Sequence, residues 1–257
     1  MIKGIAFDLD GTLYLGDRAI EGAVETVIAL TKLNYQIFYF TNNSARKRQQ
    51  IVNKLNGLGF PAKPQNTYCA SYAISAYLLE KKLTTIYLIG TDDLKDELSA
   101  DKIRIKNSSQ VSAVVVGLDS SFDYSKISIA LEAINKGAKL IVANTDPSYP
   151  VEGHKRLPGC GAMVGAIVGA TNHAPDFIVG KPNIFMLELL CKEHNLSPAE
   201  ICVVGDSPES DIKMANNFGC QSILFDPDNA FPAFSGNKVK GLSEIPSLIN
   251  QLERRKT

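Results

Sequence analysis

Asp8 and Asp10 close the first apolar run of the chain, Ile5-Ala6-Phe7-Asp8-Leu9-Asp10-Gly11-Thr12. Strand side chains alternate between faces, so the two acids project together and Leu9 projects away. Carboxylates crowded in this way repel unless a cation or a proton lies between them. A pair that costs the fold free energy serves chemistry more readily than stability. Three more polar groups follow apolar runs. Phe40-Thr41-Asn42-Asn43-Ser44 leads from a strand toward a helix, where a hydroxyl and free backbone N–H groups can bind an anion. Gly180-Lys181-Pro182 sets a cation ahead of a proline suited to a first helical turn. Val204-Gly205-Asp206-Ser207-Pro208-Glu209-Ser210-Asp211 ends a strand in one acid and carries another within the next turn.

Each group alone has a plain alternative: Asp-Gly marks turns, Thr and Asn cap helices, and a lone Lys is solvated. Together, in this order and at strand ends, they describe a site. Asp8, Asp206 and a carbonyl near Asp10 offer hard oxygen ligands that suit Mg²⁺. Thr41, the adjacent amides and Lys181 offer hydrogen bonds and positive charge to an anion. A divalent cation beside an anion cradle, with a free carboxylate between them, is an arrangement for phosphoryl transfer.

The elements that must position these groups alternate in type. Candidate strands are 2–8, 36–41, 85–90, 113–119, 139–144, 177–180, 201–205 and 222–225, and helical periodicity covers 22–33, 45–58, 68–82, 125–136, 183–194 and 209–218. This alternation predicts an α/β fold with a mostly parallel sheet flanked by helices, whose site forms at the carboxyl ends of strands. The candidate groups lie before residue 47 and after residue 180, while the middle has its own strand–helix pattern. We therefore expect one core from both ends of the chain, 1–82 and 174–257, with a smaller α/β domain, 83–173, inserted as a lid.

Composition excludes several classes. Lys+Arg and Asp+Glu are equal at 27 each in 257 residues, which gives no reason to expect a nucleic-acid or membrane partner. Five cysteines without Cys-x-x-Cys spacing read as reduced cytoplasmic thiols. The chain enters its first strand directly, so no signal peptide is expected. The apolar run 161–170 is too short to span a bilayer.

The four motifs, in this order, resemble those of the haloacid dehalogenase superfamily, which has a Rossmann-like core. The segments Asn144-Thr145-Asp146-Pro147, Pro150, Gly153 and Leu157-Pro158-Gly159-Cys160-Gly161-Ala162 resemble the α/β cap of its NagD/p-nitrophenylphosphatase subfamily. The resemblance implies Asp8 as a nucleophile that forms an aspartyl-phosphate. It implies Asp10 as the acid and base, with its carbonyl on Mg²⁺. Thr41, the Asn42 amide and Asn43 would bind the phosphoryl group, and Lys181 would neutralise charge on it and on Asp8. Asp206 would ligate the metal, and Asp211 would support its water shell or orient Lys181. An acid at position 10 points to phosphatases and phosphomutases rather than dehalogenases or ion pumps. The Arg common after the first Asp of the last motif is absent, so 207–210 receive no role.

Residues 144–161 read as a long loop, either ordinary surface or a binding loop, and the subfamily resemblance implies the substrate-specificity loop, with Asn144, Asp146 and Tyr149 nearest the leaving group. His154 reads as solvated, His173 and His194 have no motif company, and Cys160 reads as packing at a helix start. The expected activity is Mg²⁺-dependent hydrolysis of small phosphomonoesters: sugar phosphates, nucleoside monophosphates or p-nitrophenyl phosphate. A phosphomutase and a non-catalytic phosphate-binding protein are the alternatives. A signalling receiver domain is disfavoured because its acid pair would be adjacent. The expected partner is a small phosphorylated metabolite, and a homodimer stays open.

Overall fold

The computed structural model describes residues 1–151 and 155–254, and Gly153 and His154 lie outside them. The chain divides into two compact units: Met1–Thr41, Ile51–Tyr68 and Lys181–Thr257 form one, and Asn42–Gln50 with Cys69–Gly180 form the other.

The first unit is built on a six-stranded sheet. Its strand order is Lys238–Val239, Gln221–Phe225, Ile201–Gly205, Gly4–Asp8, Gln36–Thr41, Thr67–Cys69. The strands from Lys238–Val239 through Gln36–Thr41 pair in parallel. A parallel sheet covered on both faces favours continuous apolar runs, and Gly4–Asp8 and Ile201–Gly205 are buried along their whole length. Order reverses between these two strands, since one neighbour continues toward Gln36–Thr41 and the other toward Gln221–Phe225. Crevices form at such reversals, outside the carboxyl ends. Register then levels the strand ends. Phe7 lies opposite both Val204 and Tyr39, and Asp8 lies opposite Phe40, so Asp8, Thr41 and Asp206 all emerge at one edge.

The helices of this unit supply the cover. Ile245–Arg254 buries Ile245, Ile249 and Leu252, a spacing of four and three that forms one apolar stripe. Phe185–His194 ends on Asn195, and Lys213–Phe218 ends on Gly219; both terminating residues are left-handed.

The second unit has a five-stranded, all-parallel sheet, ordered Phe177–Ile178, Lys139–Val142, Ala113–Val116, Thr85–Ile89, Arg104–Ile105. Its helices include Asp92–Ala100, capped by Thr91, and Tyr124–Asn135, capped by Asp123. Among the described residues no helix is long and apolar enough to cross a membrane.

Four sequence expectations are corrected. Residues 68–82 are not one helix: Thr67–Cys69 is a strand, and the helix is Ala70–Glu80. Residues 144–161 are not a plain loop, because Ser148–Val151 pairs antiparallel with Lys155–Pro158 and a helix begins at Cys160. Prolines at 150 and 158 had hidden this hairpin. The helix after Thr41 begins at Arg48 rather than residue 45, and that after Lys181 begins at Phe185, where Asn183 Oδ1 accepts from the Phe185 N–H. The amides following Thr41 and Lys181 therefore belong to loops.

Ile249 is fully buried, and Ile249→Ala leaves a cavity under the sheet. The expected cost is about 2–5 kcal/mol, read as a lower urea midpoint by circular dichroism.

Candidate active site

The cluster begins with the turn after the Gly4–Asp8 strand. The Leu9 carbonyl accepts from the N–H groups of Thr12, Leu13 and Tyr14, which folds the chain back at once. Thr12 Oγ1 then donates to Asp8 Oδ2 at 3.1 Å. Gly11 occupies φ 95°, and a Cβ there would stand 2.3 Å from Asp206 Oδ2. Only glycine allows both the backbone angle and the approach of Asp206.

The last motif closes the other side. After Gly205 the chain makes one turn of π-helix, Pro208–Ile212, with Ser207 Oγ accepting from the Ser210 N–H. The turn brings Asp211 back over Gly205, where a Cβ would lie 2.3 Å from Asp211 Cγ. Asp211 Oδ2 accepts from the Ser207 N–H at 3.2 Å, leaving Oδ1 for Lys181.

Lys181 sits between the two ends. Its Nζ is 2.5 Å from Asp8 Oδ1 and 2.6 Å from Asp211 Oδ1, with Lys181 4% and Asp211 1% exposed. Asp8, Asp206 and Asp211 each offer an oxygen within 4.8 Å of the others. Three ionised carboxylates and one ammonium leave a formal charge of −2, which a divalent cation would cancel. The donor set is all oxygen and suits a hard cation.

Titration follows from this shortage of positive charge. Burial would depress the Lys181 ammonium, but Asp211 and Asp8 override it and hold the group charged. Asp8 shares that ammonium with Asp211 and stays under-compensated. Burial raises its carboxyl to about 8, Lys181 opposes the rise, and Asp211 and Asp206 add to it. Asp206 is likewise raised, first by burial and then by Asp211, against Lys181.

The other expected residues fall as follows. Asp10 is exposed at the same turn, and its Oδ2 accepts from the Tyr14 hydroxyl at 3.1 Å. Thr41 is buried at the end of its strand. In the second unit, Asn42, Asn144 and Asp146 form one network. Asn144 Nδ2 donates to the Asn42 carbonyl at 2.8 Å, and Asn42 Nδ2 donates to Asp146 Oδ2 at 3.1 Å. Asn43 Oδ1 caps the following turn, accepting from the N–H groups of Ala45 and Arg46. Tyr149 lies on the hairpin, opposite Leu157 and 36% exposed. Cys160 is buried at its helix start.

Sequence reasoning missed Thr12, Tyr14 and Ser207. Thr12 was legible, being four residues after Asp8 across a glycine turn. Ser207 was legible as an N-cap before Pro208.

Residues 5–104 match the model of the haloacid dehalogenase-like hydrolases, and residues 178–229 match a second model, described as HAD-hydrolase-like. An acid sugar phosphatase of Staphylococcus haemolyticus is 33% identical over 222 residues, 86% of this chain and 84% of that protein. A chloroplastic phosphoglycolate phosphatase (1A) of Arabidopsis thaliana is 32% identical over 247 residues, 87% of this chain and 68% of that protein. A solved p-nitrophenyl phosphatase from Archaeoglobus fulgidus superposes with a TM-score of 0.89 at 25% identity, covering 95% of this chain and 98% of that one. The chain belongs to the haloacid dehalogenase-like hydrolases, within the NagD/p-nitrophenylphosphatase group, and is an enzyme of the phosphatase class.

The raised Asp8 predicts a pH dependence with a definite sign. Folded Asp8 keeps its proton up to about 8, whereas the unfolded group releases it near 3.8, so the folded state binds more protons in between. Metal-free stability should fall as pH rises from 5 to 8. Acids held near 2, Asp176 and Glu200, have finished titrating below this window, and Lys181 stays charged throughout it. Differential scanning calorimetry of metal-free protein should show Tm declining across the window. Added Mg²⁺ should flatten the slope, and Asp8→Asn should reduce it.

Proposed function

We propose that this chain hydrolyses small phosphomonoesters with Mg²⁺, through an aspartyl-phosphate on Asp8. The observation that carries the reading is Lys181 buried between Asp8 and Asp211, with Asp206 within ligand distance, at the carboxyl edge of the reversal in the first unit's sheet. The substrates that name the relatives above, sugar phosphates, phosphoglycolate and p-nitrophenyl phosphate, are all small monoesters and support it.

In this reading an Asp8 oxygen attacks phosphorus, the bond from phosphorus to the ester oxygen breaks, and Asp10 gives that oxygen its proton. Water then attacks the phosphorus of the acyl phosphate, Asp10 takes the water's proton, and inorganic phosphate leaves with Asp8 restored. Asp10 can serve in both directions because it is exposed and is oriented by Tyr14, while Asp8 is enclosed. Thr41, Asn43 and the Asn42 amide bind phosphoryl oxygens, and Lys181 balances charge on Asp8 and on the transferring group. Asp211 fixes Lys181 by its short contact. Asp8, Asp206 and the Asp10 carbonyl, with Asp211 behind them, would hold Mg²⁺, which would supply Lewis-acid stabilisation of the phosphoryl charge. Residues 83–173 act as the cap in this proposal, with Asn144, Asp146 and Tyr149 bearing on the leaving group. A domain-sized cap favours small metabolites over phosphoproteins.

The test is release of inorganic phosphate from p-nitrophenyl phosphate and a panel of sugar phosphates, nucleoside monophosphates and phosphoglycolate, with and without Mg²⁺. Asp8→Asn should abolish release while preserving the fold, since the amide is nearly isosteric and a poor nucleophile. Asp10→Asn, at an exposed position, should lower kcat about 10²–10⁴-fold. Near-normal turnover by Asp8→Asn would refute the mechanism. Isomerised sugar phosphate in place of free phosphate would make the chain a mutase.

A further inference from the structure

The sheet of the second unit has its own reversal of strand order. From Thr85–Ile89 the chain crosses through the helix Asp92–Ala100 to Arg104–Ile105 on one side, while Ala113–Val116 lies on the other. Parallel sheets open a crevice at such a point. Beside it, between the carboxyl ends of Thr85–Ile89 and Arg104–Ile105, a cavity of about 200 Å³ is lined by Tyr87, Gly90, Thr91, Lys95, Ile105 and Lys106, among others. All its lining belongs to the second unit, and none of it was singled out in the sequence.

Two observations say what this cavity takes. The first is Tyr87. The residue is 95% buried, yet its hydroxyl has no hydrogen-bond partner among the described residues and lies in the cavity wall. The hydroxyl is not enclosed by protein, so it opens to the cavity and can donate there. The second is charge. Lys95 and Lys106 reach the rim from different elements, and neither has an ion-pair partner among the described residues. A third lysine in the wall, Lys126, is committed to Asp119 at 2.6 Å. Asp92 is the one acid in the lining, so the wall carries a surplus of positive charge. Thr91 Oγ1 already accepts from the Leu94 N–H, so the free lysines, not the helix end, are the anchors.

We propose that this crevice binds a small organic anion, its acidic group on Lys95 and Lys106 and a neutral oxygen accepting from the Tyr87 hydroxyl. The volume, equal to roughly six or seven waters, limits the ligand to about three to six carbons. The anionic group is a carboxylate or a phosphate. Asp123 and Asp119 both act on the Tyr87 hydroxyl and disfavour a second negative group beside it, so the end of the ligand that meets Tyr87 is uncharged. The site shares no residue with the aspartate–lysine cluster and does not depend on the reading of that cluster as a phosphatase centre.

The test is protein-observed NMR on the full chain with two probes, 3-hydroxybutyrate for the carboxylate and inorganic phosphate for the other class. Expected are saturable shifts of the amides of Tyr87, Gly90, Thr91 and Lys106 with at least one probe. The probe that acts identifies the anion. The double variant Lys95→Ala/Lys106→Ala changes exposed side chains and should keep the wild-type spectrum, while its affinity for that probe falls at least ~10-fold. Tyr87→Phe should weaken 3-hydroxybutyrate with the ring still in place. No shift at these amides with either probe, or undiminished binding by the lysine double variant, would overturn the proposal.

Discussion

One ammonium shared by two buried carboxylates, with a third close by, is the constraint from which the rest of the first unit follows. Lys181 reaches Asp8 and Asp211 at 2.5 and 2.6 Å in an enclosed site. Residues so far apart in sequence meet only because parallel register levels their strand ends. They meet closely only because positions 11 and 205 lack a Cβ. The π-turn after Gly205 and the immediate turn after Asp8 are the local solutions that let acids approach from both sides. Each glycine, each turn and each register pairing is explained by the same requirement.

That requirement costs the fold. Burying an ion pair recovers its desolvation only when partners and hydrogen bonds are complete, and this cluster is left short of positive charge. The shortage appears as carboxyls at Asp8 and Asp206 that hold protons above their ordinary range. Hard oxygen donors left short of positive charge are a donor set suited to a divalent cation. The cluster's shortage of positive charge and its suitability as a cation site are thus one electrostatic fact. The hydrogen bonds from Thr12 and Ser207 fix where the charge sits without neutralising it.

The sequence showed the strands at 36–41 and 201–205 to the residue and the site acids by spacing, because apolar runs ended by acids are a local signal. It hid what depends on pairing. Thr67–Cys69 is a strand because an edge of the sheet accepts it, while its residues continue the helical pattern of Ala70–Glu80. The hairpin Ser148–Val151 and Lys155–Pro158 carries a proline in each arm, which suppresses the usual alternation. Asp92–Ala100 could have been found, since Thr91 caps it and two acids occupy its first turn. The network of Asn42, Asn144 and Asp146 joins residues about a hundred positions apart, and no periodicity announces it.

Both units carry a sheet whose strand order reverses, and in each a group of charged side chains gathers near strand carboxyl ends. They differ in which charges occupy the opening. In the first, acids outnumber the single lysine, and the opening calls for a cation before it can hold an anion. In the second, lysines outnumber the single acid, and the wall can hold an anion directly, with a tyrosine hydroxyl left over to choose among them. Topology therefore fixes where a ligand can sit, and the charge balance of a few side chains fixes which ligand it is. A direct basic pocket binds without activating, because it places no nucleophile beside its ligand. The acid-rich opening sets its candidate cation site beside Asp8, and in the proposed reading that pairing turns binding into chemistry.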